Sequence, residues 1–345
     1  MKMFSLTLEP TNSCNRNCLH CLRDKLQARE AIPLDLVDKI FKEARSLKIR
    51  KIKLTGGELS TYPHLEELIT MIVDYGFNFS LVTNGYRFRE RMLPLLTRAK
   101  VKKKLEEACI SLDGARAESH NALRGDGSFK EVMEAATLCR LKEIPMGLKS
   151  MITRFNQHEL TEIALLGATL GARNHSFIFP IPTPRLIKDN IVPSPGEIEQ
   201  ISLWIMNSLA KSIRSNIFID AYCEPSVVFW CDAFHSPTVD YLGNLLFCCS
   251  ISHITDEGVP AQFGPELLAD LKVNSLSQGI ARHFEVLASL VKKRLEEAPG
   301  LSLVTFVPCY WCLKHFGKLN WLNNYPSSPW ATGITKDENS AAKQE

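Results

Sequence analysis

A chain of 345 residues is long enough for about two structural units and for a core that needs no covalent staples. Its 45% hydrophobic and 23% charged residues exclude disorder of the whole chain, and 41 basic against 38 acidic residues leave a net charge of +3 without a basic arm suited to a nucleic-acid backbone. No apolar run reaches the ~20 residues of a membrane span, and residues 1–9 meet an acid before a signal-peptide core could form, so a cytoplasmic protein with neither membrane nor nucleic-acid partners is expected.

From residue 3 to about 180, short β-branched or apolar runs alternate with helical patterns, which predicts strand–helix units around a parallel sheet. Strands are expected at 3–9, 51–55, 77–83, 108–112, 146–153 and 173–179. Between them, 34–47 places Leu36, Val37, Ile40, Phe41, Ala44 and Leu47 on one helical face after Pro33, and similar patterns cover 65–75, 129–141 and 159–170. Six such pairs predict an α/β fold, a partial (β/α)6 TIM-like barrel over residues 1–180, with its working face at the strand C-termini. Pro180, Pro182, Pro184, Pro193 and Pro195 mark a linker, which with a helix near 198–214 fills 181–216. Residues 217–330 form a small cysteine-bearing unit with a hairpin signal at Gly243-Asn244, ending in a helical segment that includes a long helix at 276–297. The polar stretch 331–345 is expected to be a disordered tail. The lysines at 100–104 read as a solvated connection.

Eleven cysteines are too many for core filling alone, and a chain without an export signal should not hold a disulfide framework. Metal ligation is the first reading. Cys14-x3-Cys18-x2-Cys21 follows the first strand directly, and three thiolates can hold three irons of a [4Fe–4S] cluster, leaving the fourth iron to an exogenous chelator. Zinc with His20 as a fourth ligand is the alternative. Further on, Cys231-x11-Gly243-x4-Cys248 and Cys309-x2-Cys312 can be folded into a closed four-thiolate site, for which zinc and iron–sulfur compete on chemistry alone. Cys109 and Cys139 read as buried small hydrophobes. Cys223 and Cys249 stay open, since either could replace a nominated ligand.

At these residues the chain resembles the radical SAM superfamily, with its Cys-x3-Cys-x-aromatic-Cys loop after the first barrel strand; His20 stands where the family usually places an aromatic residue against adenine. Thr55-Gly56-Gly57-Glu58 follows the second strand, Thr83-Asn84-Gly85 the third and Ser111-Leu112-Asp113-Gly114 the fourth, each at a family motif position. His120, Arg124-Gly125, Gly127, Ser128 and Phe129 match a further family segment expected to cap a helix and close over the cofactor. The resemblance implies that Cys14, Cys18 and Cys21 bind a [4Fe–4S] cluster, and that His20, Gly56, Gly57, Glu58, Asn84, Ser111 and Asp113 bind S-adenosylmethionine, joined by Lys149 or Ser150 on the fifth strand. It also implies one-electron cleavage to a 5′-deoxyadenosyl radical that abstracts a substrate hydrogen, fed by a reductant such as flavodoxin or ferredoxin.

The Cys-x(9–15)-Gly-x4-Cys spacing resembles the opening of SPASM and twitch domains, which hold auxiliary [4Fe–4S] clusters. No cysteine follows Cys312, so the shorter, one-cluster twitch layout is implied, with Cys231, Cys248, Cys309 and Cys312 as ligands. Cys249 stands where sulfatase-maturing relatives carry a catalytic acid, and it or Cys223 could serve as a base or hydrogen donor. The leading expectation is oxidative modification or cross-linking of a ribosomally made peptide. The alternatives are a small-molecule dehydrogenase of the aminocyclitol type, a peptide epimerase with a cysteine hydrogen donor and, from another class, a non-catalytic iron–sulfur or zinc protein.

Overall fold

A computed structural model describes residues 5–22, 29–213, 216–219, 231–252, 264–300 and 307–331. Cys223 and the tail expected beyond residue 331 lie outside the described residues. Ten strands form one sheet: β1 (Ser5–Leu8), β2 (Lys51–Leu54), β3 (Asn78–Thr83), β4 (Leu105–Ser111), β5 (Met146–Met151), β6 (Asn174–Ile178), β7 (Asn216–Ile219), β8 (Thr238–Val239), β9 (Asn244–Leu246) and β10 (Leu267–Asp270). Their spatial order is β10-β9-β8-β1-β2-β3-β4-β5-β6-β7. Strands β1 to β7 run parallel, so helical crossovers cover the outer face and the strand apolar residues pack beneath them.

The six expected strands are all present, and β7 adds a seventh parallel strand beside β6. Its four residues, Asn-Ile-Phe-Ile, are too short to show a pattern against the helix before them. A second departure is at the other edge, where β8 pairs in parallel with β1 and forms the predicted hairpin with β9. The cysteine-bearing region is therefore built onto the barrel's own sheet. The proline-rich stretch is more than a linker, since it contains the helix Pro184–Lys188, capped by the Thr183 hydroxyl. Likewise the lysines at 100–104 end the helix Ala99–Lys104, where Lys102 and Lys104 donate to the carbonyls of Lys142 and Gly76.

The helix Leu34–Ser46 buries Val37, Ile40, Phe41 and Ala44, with the Phe41 ring edge-on to Tyr75 and Phe77. The helices Pro195–Trp204 and Leu276–Glu297 both start in capping boxes, Ser194 with Glu197 and Ser275 with Gln278. No helix among the described residues is long and apolar enough to cross a membrane.

Leu8 ends β1 beneath the cysteine loop, paired with Leu54 on one side and Val239 on the other, and is 1% exposed. Leu8→Ala should cost about 2–5 kcal/mol, seen as a lower denaturation midpoint. Burial also holds His120, His175 and His283 down to about 4, opposed in turn by Asp113, by Asp113 again and by the Phe234 carbonyl. These rings stay neutral in the folded chain while the unfolded chain protonates near the ordinary ~6.5. Thermal stability should therefore fall as the pH drops from about 6.5 toward 4, by up to about 1.4 kcal/mol per pH unit per histidine. A melting temperature flat across that window would contradict this.

Candidate active site

The C-terminal ends of β1 to β5 surround a cavity of about 610 Å³. The loop after β1 brings Cys14, Cys18, His20 and Cys21 to its wall, β2 leads into Gly56, Gly57 and Glu58, β3 into Asn84, and β4 and β5 contribute Ser111 and Met151. Two local contacts seat the cysteine loop. The Gly57 amide donates to the Thr11 carbonyl at 2.8 Å, and the Glu58 amide to the Ser13 carbonyl at 2.8 Å. A Cβ on Gly57 would stand 1.9 Å from the Ser13 oxygen, and Gly56 has φ +122°, so only glycine allows this approach. The glycines thus make room first for the cysteine loop itself.

Glu58 is buried, and its carboxylate accepts from the Ser60 amide (3.1 Å), the Thr83 hydroxyl (2.8 Å) and the Asn84 amide (2.7 Å). Burial raises its pKa and these donors oppose the rise. It borders the cavity while tying the turn after β2 to the end of β3. Asn84 in turn donates to Asn15 at 2.9 Å and approaches the Cys14 sulfur at 3.8 Å.

Asp113 is fully buried and lies behind the cavity wall. Its Oδ1 accepts from the Met151 amide at 2.7 Å, and its Oδ2 meets His20 Nε2 at 2.7 Å and the Arg124 guanidinium. Burial alone would raise its pKa, but Arg124 and His20 overcome this and hold the carboxyl well below the usual carboxylate range. Its position orients His20 and Arg124, both of which do line the cavity. Lys149 is half-buried on β5, in register with Ser111, and is not part of the cavity lining. Ser150 points away, toward His175 Nε2 at 2.8 Å and the Leu112 carbonyl.

Arginines fix the cysteine loop from both sides. Arg185, on the short helix in the proline-rich stretch, donates to the carbonyls of Leu19 (2.8 Å) and Cys21 (3.1 Å). Arg16 reaches the Asp126 carbonyl at 2.6 Å and pairs with Glu131. Arg185 was hidden because a proline-rich segment gives no sign of what it crosses. Glu9 was missed as well, although its signal was legible: it follows β1 directly and lines the cavity with 1% exposure.

The three thiols have the chemistry an iron–sulfur cluster requires. Burial pushes Cys14 up to about 11, with Glu58, Cys18 and Cys21 adding to the rise and the Arg16 amide opposing it. Bound iron relieves that crowding by taking the thiolates as ligands. Among the described residues no three His, Cys, Asp or Glu side chains close around a single metal ion; these thiols border a cavity instead.

The C-terminal cysteines come from three segments of the chain. Cys231 precedes a turn leading to Phe234, Cys248 follows Phe247, and Cys309 and Cys312 lie one turn apart on the helix Pro308–His315. Phe247, the residue before Cys248, has its ring centroid 6.5 Å from that of Phe234 and 5.8 Å from that of Phe316. Burial and then Cys231 push the Cys312 thiol above the usual range, against Arg294. Cys312 is buried and Cys231, Cys248 and Cys309 are half-buried against the hydrophobic core; four thiols are the donors an iron–sulfur group takes, and among the described residues no three of them close around a single metal ion. Next to Cys248, Cys249 lines the barrel-mouth cavity together with Ser250. Its thiol contacts Cys248 and feels Glu9, and both raise its pKa along with burial. The core readings of Cys109 and Cys139 agree with their burial, which pushes Cys139 up to about 12.

Residues 8–166 match the Radical SAM superfamily. The chain carries a radical SAM domain. It is 29% identical over 220 residues to the AdoMet-dependent heme synthase of Methanosarcina barkeri, covering 63% of this chain and 61% of that protein. It is 30% identical over 173 residues to the mycofactocin maturase MftC of Mycobacterium tuberculosis, covering 48% and 42%. The structure of Streptococcus suis SuiB bound to S-adenosylmethionine superposes with a TM-score of 0.64 at 13% identity, covering 81% of this chain and 68% of that one. The AdoMet-bound structure of anSMEcpe gives 0.63 at 16% identity, covering 82% of each. These likenesses show the fold. The radical SAM domain implies a [4Fe–4S] cluster with S-adenosylmethionine, and members of the superfamily are enzymes.

Gly57→Ala should displace the cysteine loop and lower iron by about four atoms per chain after anaerobic reconstitution. Arg185→Ala, which leaves the turn intact, should slow cluster assembly without abolishing it. Full iron in Gly57→Ala would contradict this account of the loop's seating.

Proposed function

We propose that Cys14, Cys18 and Cys21 hold the radical SAM cluster, that Cys231, Cys248, Cys309 and Cys312 hold one auxiliary [4Fe–4S] cluster, and that the enzyme oxidatively modifies or cross-links a ribosomally made peptide. The observation that carries this reading is that Cys249 and Ser250, adjacent to Cys248, line the same cavity as the cysteine loop. Substrate bound there lies within a residue or two of both thiol groups. When loaded, the first site supplies a 5′-deoxyadenosyl radical for hydrogen-atom abstraction. The chain's own residues do the positioning: Gly56 and Gly57 keep the loop seated, Glu58 and Asn84 fix the adjoining turn, and Asp113 orients His20 and Arg124. His20, Asn84 and Ser111 at the wall are the groups offered to S-adenosylmethionine; Lys149, paired with Ser111 in the sheet, lies outside the cavity lining. Cys249 exchanges a proton or hydrogen atom with substrate.

The names of relatives support a peptide substrate: mycofactocin maturase, the antilisterial bacteriocin subtilosin biosynthesis protein AlbA of Bacillus subtilis, and SuiB, whose structure has been determined with its precursor peptide SuiA. The AdoMet-dependent heme synthase favours a second reading, oxidation of a small molecule. A one-electron carrier such as flavodoxin or ferredoxin would serve as reductant.

Replacing Cys14, Cys18 and Cys21 with Ala should leave about four irons per chain; loss of all iron would remove the auxiliary cluster from the proposal. Wild-type enzyme incubated with a peptide encoded beside its gene should yield a product lighter by pairs of hydrogens in mass spectra. An unchanged peptide alongside an oxidised small molecule would move the assignment to the second reading. Cys249→Ala should keep forming 5′-deoxyadenosine while product falls by about a hundredfold or more.

A further inference from the structure

The 22-residue helix Leu276–Glu297 covers the C-terminal cysteine region and carries a charge inside it: Arg294 is 2% exposed. Its guanidinium carbon lies 5.1 Å from the centroid of the Trp311 ring. That indole is held by its Nε1–H, which donates to Glu297 Oε2 at 2.8 Å, and it stacks on His315 with centroids 5.1 Å apart. Trp311 precedes Cys312 on its helix, and the Arg294 charge over the indole is felt at the Cys312 thiol. A buried guanidinium is costly unless negative charge answers it. Cys312 and Glu297 are the groups that oppose the cost of its burial.

We infer that Arg294 raises the reduction potential of the proposed auxiliary cluster. The inference rests on the proposed four-cysteine site. A cluster held by four thiolates is already an anion, and accepting one electron makes it more negative. A fixed cation in a low-dielectric surrounding therefore favours the reduced state and raises the potential. Arg294 acts through charge and touches neither substrate nor reacting atoms, so it is a positioning residue. Arginine suits the task because it keeps its charge when buried and stacks on an aromatic face.

The test uses the full chain with Cys14, Cys18 and Cys21 changed to Ala, so that only the C-terminal cluster reports. Iron is counted, and the midpoint is followed by electron paramagnetic resonance during a dithionite titration. Arg294→Gln should keep about four irons and show a more negative midpoint, while Arg294→Lys should stay near the parent. An unchanged midpoint in Arg294→Gln would overturn the inference. So would loss of iron in Arg294→Gln with full iron in Arg294→Lys, which would assign the charge to cluster assembly. Absence of iron in the parent itself would overturn the four-cysteine reading, a failure distinct from that of Arg294.

Discussion

The contact on which the site depends is backbone on backbone: the turn after β2 lies so close to the loop after β1 that no side chain fits between Gly57 and the Ser13 carbonyl. Two amide-to-carbonyl bonds from that turn hold the loop in place. Glu58 carries the restraint on to β3, and Asp113 joins β4, β5 and the His20 end of the loop. Because Asp113 is buried against the Arg124 guanidinium and the His20 ring, its charge is compensated and both its oxygens have donors. The cavity wall is rigid for this reason, with three cysteines held before anything binds them.

Sheet continuity gives the second half of the molecule its place. With β8 paired to β1, the hairpin ends where the barrel opens, and Cys248 and Cys249 fall at the boundary. Cys249 lines the cavity with its thiol against that of Cys248, the residue after Phe247.

Much of this could be read from the sequence, because parallel strands buried under helices appear as apolar runs at regular intervals, and the motif residues fall at their ends. The glycines and cysteines were legible because their roles depend on backbone freedom and sulfur, which the residue type itself declares. Less visible was what a carboxylate faces. Asp113 sits two residues from Ser111 on the same strand end, yet it turns behind the wall and bonds His20 and Arg124, a difference set by tertiary partners. The clamp from Arg185 joins positions 166 and 164 residues apart, beyond any local pattern. Strand β7 was hidden by its brevity, and the union of β8 with β1 by the long separation in sequence.

The most direct test of the site is reductive cleavage of S-adenosylmethionine by the anaerobically reconstituted full chain, followed as 5′-deoxyadenosine after dithionite is added. The account predicts that the wild-type chain, loaded with iron and sulfide, forms the nucleoside and that Cys18→Ala does not. Recovery of zinc in place of iron, with no nucleoside formed, would contradict it.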